Sequence, residues 1–89
     1  MSKAQELAEI IKGSANHHRI NTLFLLEKKG KLTLDEIVDS LGANYKTIAV
    51  HVSRLHKSGL VTKRYKAAAV EHELTARARL VLNFLRILE

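Results

Sequence analysis

The sequence predicts a mainly α-helical fold with a small β-hairpin, built as a single domain over residues 1–89, and three observations predict it. Apolar residues recur at three- and four-residue spacing in five stretches, the mark of helices with one buried side. The four glycines, at 13, 30, 42 and 59, fall where four of those stretches break. After Gly59 the apolar pattern switches to alternation, which a strand requires.

The first helix is expected over residues 2–12, with Ala4, Leu7, Ala8, Ile10 and Ile11 on its apolar side and Gly13 as its stop. Asn16 can cap a second helix that buries Ile20, Leu23, Phe24 and Leu26. Its last turn holds Lys28 and Lys29, which suit the helix dipole, and Gly30 ends it. A short extended piece, residues 31–33, leads to a third helix. Thr33 and Glu36 form a capping box there, Leu34, Ile37, Val38 and Leu41 are apolar, and Gly42 closes it. Asn44 caps a fourth helix that runs to Lys57 or Ser58, with Gly59 as its stop. Two short helices joined by a tight glycine-containing turn give a helix-turn-helix signal.

Beyond Gly59, Val61, Lys63 and Tyr65 alternate against Thr62, Arg64 and Lys66, and residues 70–74 alternate as well. Pairing Tyr65 with Val70 around a loop of residues 66–69 places Val61 opposite Leu74 and Arg64 opposite Glu71. Apolar side chains then share one face and a charge pair the other, which a one-residue slip would destroy. Thr75 caps a fifth helix over residues 76–89. The order α-α-β-α-α-β-β-α is that of a winged helix-turn-helix.

Composition narrows the function. Fifteen Lys and Arg against nine Asp and Glu give a net charge of +6, which points to a polyanion as partner. There are no cysteines, so disulfides, thiol redox chemistry and thiolate-bound metals are excluded. No apolar run approaches the length of a membrane span and the first ten residues build no signal-peptide core, so a cytoplasmic protein with no membrane partner is expected.

The fourth helix, residues 44–58, gathers these properties. At about 100° per residue, Val52 and Leu55 lie within about 40° of Ile48 and make a core stripe. Lys46, Val50, Ser53 and Lys57 lie opposite, flanked by Ala49 and Arg54, and no acidic residue occurs between Asn44 and Lys66. Small and basic side chains facing outward suit entry into a DNA major groove. There Ala49 or Val50 can touch a thymine methyl, Lys46 can reach a guanine edge, and Asn44 and Tyr45 can meet sugar, base or phosphate. The wing, residues 60–75, places Lys63, Arg64 and Lys66 for backbone contacts.

The stretch "SANHHRINTLFLLEKKGKLTLDEIVDSLGANYKTIAVHVSRLHKSGLV" resembles the ArsR-type winged-helix repressors, with the MarR-like group as a wider relative. The family's reading-helix pattern matches Ile48, Ala49, Val50, His51, Val52, Ser53, Arg54 and Leu55, and "SGLV" and "HELTARARLVLNFL" match its later segments. The resemblance covers residues 14–85. It implies that Tyr45, Lys46, Ala49 and Val50 read bases, while Thr47, His51 and Arg54 meet phosphates. The positions where the family's sensors hold metal carry neither Cys nor His here, and the wing tip "KAAAVE" lacks the usual glycine and arginine, so no metal and no deep minor-groove insertion are expected.

The five histidines, 17, 18, 51, 56 and 72, read as helix-start or surface residues, since neither adjacent nor five-apart spacing aims two rings at one ion. No nucleophile-base pair, phosphate-binding glycine loop or cofactor motif is present, so no enzyme and no cofactor are expected. In the fifth helix, Leu80, Val81, Leu82, Phe84, Leu85, Ile87 and Leu88 make it apolar nearly all round. One small core cannot cover so wide an arc, so a two-fold homodimer is expected from residues 1–12 and 76–89. Its interface would hold Leu7, Ile10, Ile11, Val81, Phe84, Leu85 and Leu88. Such a dimer sets two reading helices roughly 34 Å apart, the spacing of an inverted repeat in double-stranded DNA. The expected function is a sequence-specific transcriptional regulator, acting as a repressor. A winged-helix protein-interaction module and a non-specific nucleic-acid binder are the competing readings.

Overall fold

The computed structural model describes residues 1–89 and holds five helices and three strands. They are α1 (Lys3–Ser14), α2 (His17–Lys29), β1 (Leu32–Thr33), α3 (Leu34–Leu41), α4 (Tyr45–Lys57), β2 (Val61–Lys66), β3 (Ala69–Leu74) and α5 (Ala76–Leu88). No helix is long and apolar enough to cross a membrane.

Local chemistry sets most of the boundaries. Asn16 Oδ1 accepts from the amides of His18 and Arg19, Asn44 Oδ1 from those of Lys46 and Thr47, and Thr75 Oγ1 from that of Ala78. Each satisfies amides that the first helical turn leaves without a partner. The Thr33–Glu36 capping box is closed in both directions, at 3.2 and 2.8 Å, and these hydrogen bonds hold the Glu36 carboxyl below the usual carboxylate range. A second box, Ser2 with Gln5, starts α1.

The core joins α2, α3, α4, the hairpin and α5 through Leu23, Leu26, Ile37, Ile48, Val52, Leu55, Leu60, Val61, Leu74, Ala78 and Leu82. The wheel drawn for α4 holds: Ile48 and Leu55 are 0 % exposed and Val52 3 %. Burial of each such aliphatic side chain contributes on the order of 1.5–3 kcal/mol, so this stripe anchors α4 firmly to the domain.

Four features differ from the sequence expectation. First, α1 does not stop at Gly13 but runs through it to Ser14. The glycine serves packing instead: a Cβ there would lie 2.0 Å from Ser58 Oγ and 2.5 Å from Ser58 Cβ, so only glycine lets α1 approach the end of α4. Second, the hairpin register is as expected, Val61 with Leu74 and Tyr65 with Val70, but Lys66 also pairs with Ala69 and leaves a two-residue turn. Ala67 enters it at φ 47, a left-handed conformation that disfavours a side chain.

Third, the charge pairing is diagonal. Arg64 stands opposite Glu71 but bonds Glu73, at 2.6 Å, while Lys66 reaches Glu71 at 3.5 Å. Fourth, the short strand expected before α3, β1, is joined to the hairpin: it pairs with β3 through Leu32–His72 and Thr33–Glu71, a partner the sequence did not assign, giving the sheet order β1-β3-β2. It covers His72, which is buried rather than a surface residue, and His72 Nδ1 lies 3.1 Å from the Leu32 carbonyl oxygen. Burial pushes the His72 pKa down, only partly opposed by that carbonyl.

Candidate nucleic-acid interface

The exposed side of α4 carries Tyr45, Lys46, Val50, Ser53, Arg54 and Lys57, and Thr47, Ala49 and His51 lie half-buried at its edges. Tyr45 and Val50 are 51 % and 50 % exposed, so both are open to contact from outside. Asn44 is engaged as the cap, so its carbonyl oxygen is spoken for, while its amide group remains a donor just ahead of the helix. Two backbone amides of the first turn are thus satisfied within the chain, and the helix presents side chains more than bare N–H groups.

The wing lies beside this surface. Thr33, Leu34, Asp35, Tyr45, Lys63, Tyr65 and His72 line a groove of about 400 Å³ between the wing, the start of α3 and the start of α4. Of the three wing cations, Arg64 and Lys66 are in ion pairs with Glu73 and Glu71, and Lys63 is not. The acid-free run seen along the chain is therefore not an acid-free surface, because β3 and α3 bring Glu71, Glu73 and Asp35 alongside it. Arg64 holds the Glu73 carboxyl below its usual range, so this pair stays ionised at neutral pH. Tyr65, 77 % exposed on the wing, was not among the expected contacts; its place on the face of Val61, opposite Val70, marked it as apolar-face instead.

At the other side of α4, the fold collects basic residues that lie far apart in sequence. The ring of His18 stacks on that of His51 and contacts that of His17, with centroids 5.3 and 4.0 Å apart. His51 Nδ1 is buried without a hydrogen-bond partner. Burial, then Arg19, His18, Arg54 and His17, lowers its pKa, so the imidazole is neutral at pH 7. His51 therefore adds no positive charge to this surface. No group of three His, Cys, Asp or Glu residues is arranged to hold a metal ion.

The expected dimer residues divide into two sets. Leu7 and Ile11 on α1 and Phe84 and Leu88 on α5 are exposed, while Ile10, Val81 and Leu85 are half-buried against the core. Leu80 and Ile87, 70 % and 81 % exposed, extend the apolar face of α5 beyond the residues expected. Arg86 crosses from this helix to pair with Glu27 of α2, and it also donates to Asn83.

Comparison with known proteins agrees with this architecture. HlyU of Vibrio cholerae matches at a TM-score of 0.83 with 24 % identity, over 99 % of this chain and 97 % of that one. The homodimeric winged helix-turn-helix DNA-binding domain Mb0332 of Mycobacterium bovis, described as a possible ArsR-family transcriptional regulator, matches at 0.84 with 23 % identity, over 98 % and 86 %. Among curated proteins, the uncharacterized HTH-type transcriptional regulator MJ1325 of Methanocaldococcus jannaschii is 34 % identical over 64 residues, 72 % of each chain. Residues 16–63, from the cap of α2 to the second residue of the wing after Val61, match the bacterial regulatory protein arsR family. With its helix-turn-helix, its wing and this match over more than half its length, the chain belongs to the arsR family of bacterial regulatory proteins.

Proposed function

We propose that this chain binds specific sites on double-stranded DNA as a homodimer and regulates transcription, as a repressor, by occupying them. The observation that carries this is the division of α4. One side is locked into the core by Ile48, Val52 and Leu55, and the other displays Tyr45, Lys46, Val50, Ser53, Arg54 and Lys57 with no carboxylate on the helix. A rigidly held helix with that outer face fits a major groove, where Tyr45, Lys46, Ala49 and Val50 meet base edges and Thr47, His51, Arg54 and Lys57 meet the backbone. Lys63 is the wing cation free to add a phosphate contact. The exposed apolar residues of α1 and α5 support the homodimer, since they resemble a core cut in half.

Titration of duplexes selected from a random pool tests this at several salt concentrations. Affinity should fall steeply with salt, with a slope of about −0.9 per phosphate neutralised, and Lys46→Ala or Arg54→Ala should weaken it. The selected sites should be inverted repeats. No measurable binding at low salt, or a chain that ignores Lys46→Ala while pairing with a different protein through α5, would overturn the proposal.

A further inference from the structure

Beside the C-terminal half of α4, three helices meet at a point that joins two of the expected DNA contacts, Arg54 and Lys57, to Lys12 and Arg19, which were not among them. The last turn of α1 descends on the C-cap of α4, with Gly13 against Ser58. Arg19, in the first turn of α2, reaches back to donate from Nη1 to the Gly13 carbonyl oxygen at 3.2 Å. The cavity so formed has a volume of about 170 Å³ and is lined by Lys12, Arg19, Arg54, Lys57, Ser58 and Glu9, with Gly13 at its floor and no apolar side chain.

Two observations show that this cluster is incomplete by itself. None of Lys12, Arg19, Arg54 and Lys57 is in an ion pair, so four cations face one carboxylate. The Nε of Arg19 is also buried with no hydrogen-bond partner, a costly state for a guanidinium donor. Burial and then the neighbouring Arg54 both act against the charged form of Arg19. An anion in this cavity would accept from the accessible ammonium and guanidinium N–H groups and offset the repulsion among the four. A tetrahedral oxyanion matches the donor set, because two guanidinium groups and two flexible ammonium groups line the cavity.

We propose that Lys12, Arg19, Arg54 and Lys57 form a seat for a single phosphate group at the junction of α1, α2 and α4. Arg54 and Lys57 share this seat with the outer face of α4, so the natural source of the group is a backbone phosphodiester of the duplex that α4 enters. In that source the inference rests on the DNA reading above. It makes α1 and α2 part of the DNA contact, with Lys12 and Arg19 as residues the helix-turn-helix alone would not supply.

The test follows the Nε–H resonance of Arg19 and the amides of Gly13 and Ser58 by NMR in the full chain. One arm adds duplex DNA, the other inorganic phosphate against chloride at constant ionic strength. Saturable shifts of all three signals in either arm are expected, and Lys12→Gln should weaken that binding about tenfold, the order of one charge-assisted hydrogen bond. Lys29→Gln, the same charge change at the far end of α2, should leave the phosphate arm unchanged. Shifts with the duplex identify a backbone phosphodiester; shifts with inorganic phosphate alone support the seat while telling against the DNA reading. Saturation in neither arm, or saturation that Lys12→Gln does not weaken, overturns the seat.

Discussion

The imidazole of His18, at the start of α2, lies stacked on that of His51, in the middle of α4, with centroids 5.3 Å apart and planes inclined by 27°. The stack joins the helix before the helix-turn-helix to the helix that faces outward. It is favoured by an uncharged His51 ring, since Arg19 and Arg54 already act on that imidazole. The folded pKa of His51 is depressed, as is that of His72. A group with a depressed folded pKa contributes stability that is fully present above its unfolded pKa, about 6.5 for histidine, and lost as pH falls through the folded value. Thermal unfolding followed from pH 8 to pH 5 should therefore show a stable plateau above about pH 6.5 and a falling midpoint below it. His51→Gln and His72→Gln should each flatten the acid limb, and an acid limb unchanged in both variants would refute this origin.

Substitution can separate the capping role of Asn44 from its proposed place at the DNA interface. Its Oδ1 caps α4 through Lys46 N and Thr47 N, so Asn44→Ala should cost about 1 kcal/mol in chemical denaturation. Asn44→Asp keeps an accepting oxygen and should recover most of that stability. The added carboxylate nonetheless sits at the leading end of the DNA-facing surface, so duplex affinity should drop further in Asn44→Asp than in Asn44→Ala. Equal affinities for the two variants would remove Asn44 from the interface.

Glu73 restrains a wing cation. The Arg64 guanidinium bonds its carboxylate at 2.6 Å and Lys31 stands 3.9 Å away, all at a half-exposed surface where such pairs add little stability. Glu73→Gln should leave the unfolding midpoint nearly unchanged. It should raise duplex affinity at low salt and steepen its salt dependence by up to about one phosphate equivalent, as Arg64 becomes free to neutralise one. Lower affinity in Glu73→Gln would mean that the pair orients Arg64 rather than withholding it.

On α5, neighbouring residues have opposite expected effects. Leu82 is wholly buried, and Leu82→Ala should cost about 2–5 kcal/mol at any protein concentration. Phe84 and Ile87 are exposed, so Phe84→Glu or Ile87→Glu should spare the fold of one chain. In sedimentation, those variants should shift the proposed dimer to monomer and take duplex affinity down with it, because two half-sites bound by linked reading helices would give an avidity that single ones lack. A dimer untouched by both charges would place the interface elsewhere.

What was legible in the sequence was mainly local. The caps at Asn16, Thr33, Asn44 and Thr75 each act over two or three residues, and the stripe Ile48, Val52, Leu55 follows from helix periodicity alone. The register of the hairpin was legible because slipping it would turn Val61 and Leu74 outward. What escaped lies between distant segments. Gly13 looked like a helix stop because nothing nearby announces Ser58, and His72 looked exposed because the strand that covers it is two residues long and forty positions earlier. The same holds for the site: the outer face of α4 could be drawn from a wheel, whereas the meeting of Lys12 and Arg19 with Arg54 and Lys57 depends on how three helices pack.

Thr33 is at once the last residue of β1 and the N-cap of α3, so no connecting segment separates sheet from helix. β3 is hydrogen-bonded on both sides, to β1 and to β2. A push on the wing tip at Ala67 accordingly travels down β3, across to β1 and directly into the first turn of α3, without meeting a slack joint. On the proposed function, the domain should act as a stamp with a fixed relief: misfit at a binding site would be absorbed by bending of the duplex or by a change in how two copies are set apart, not by the wing folding away from the helix beside it.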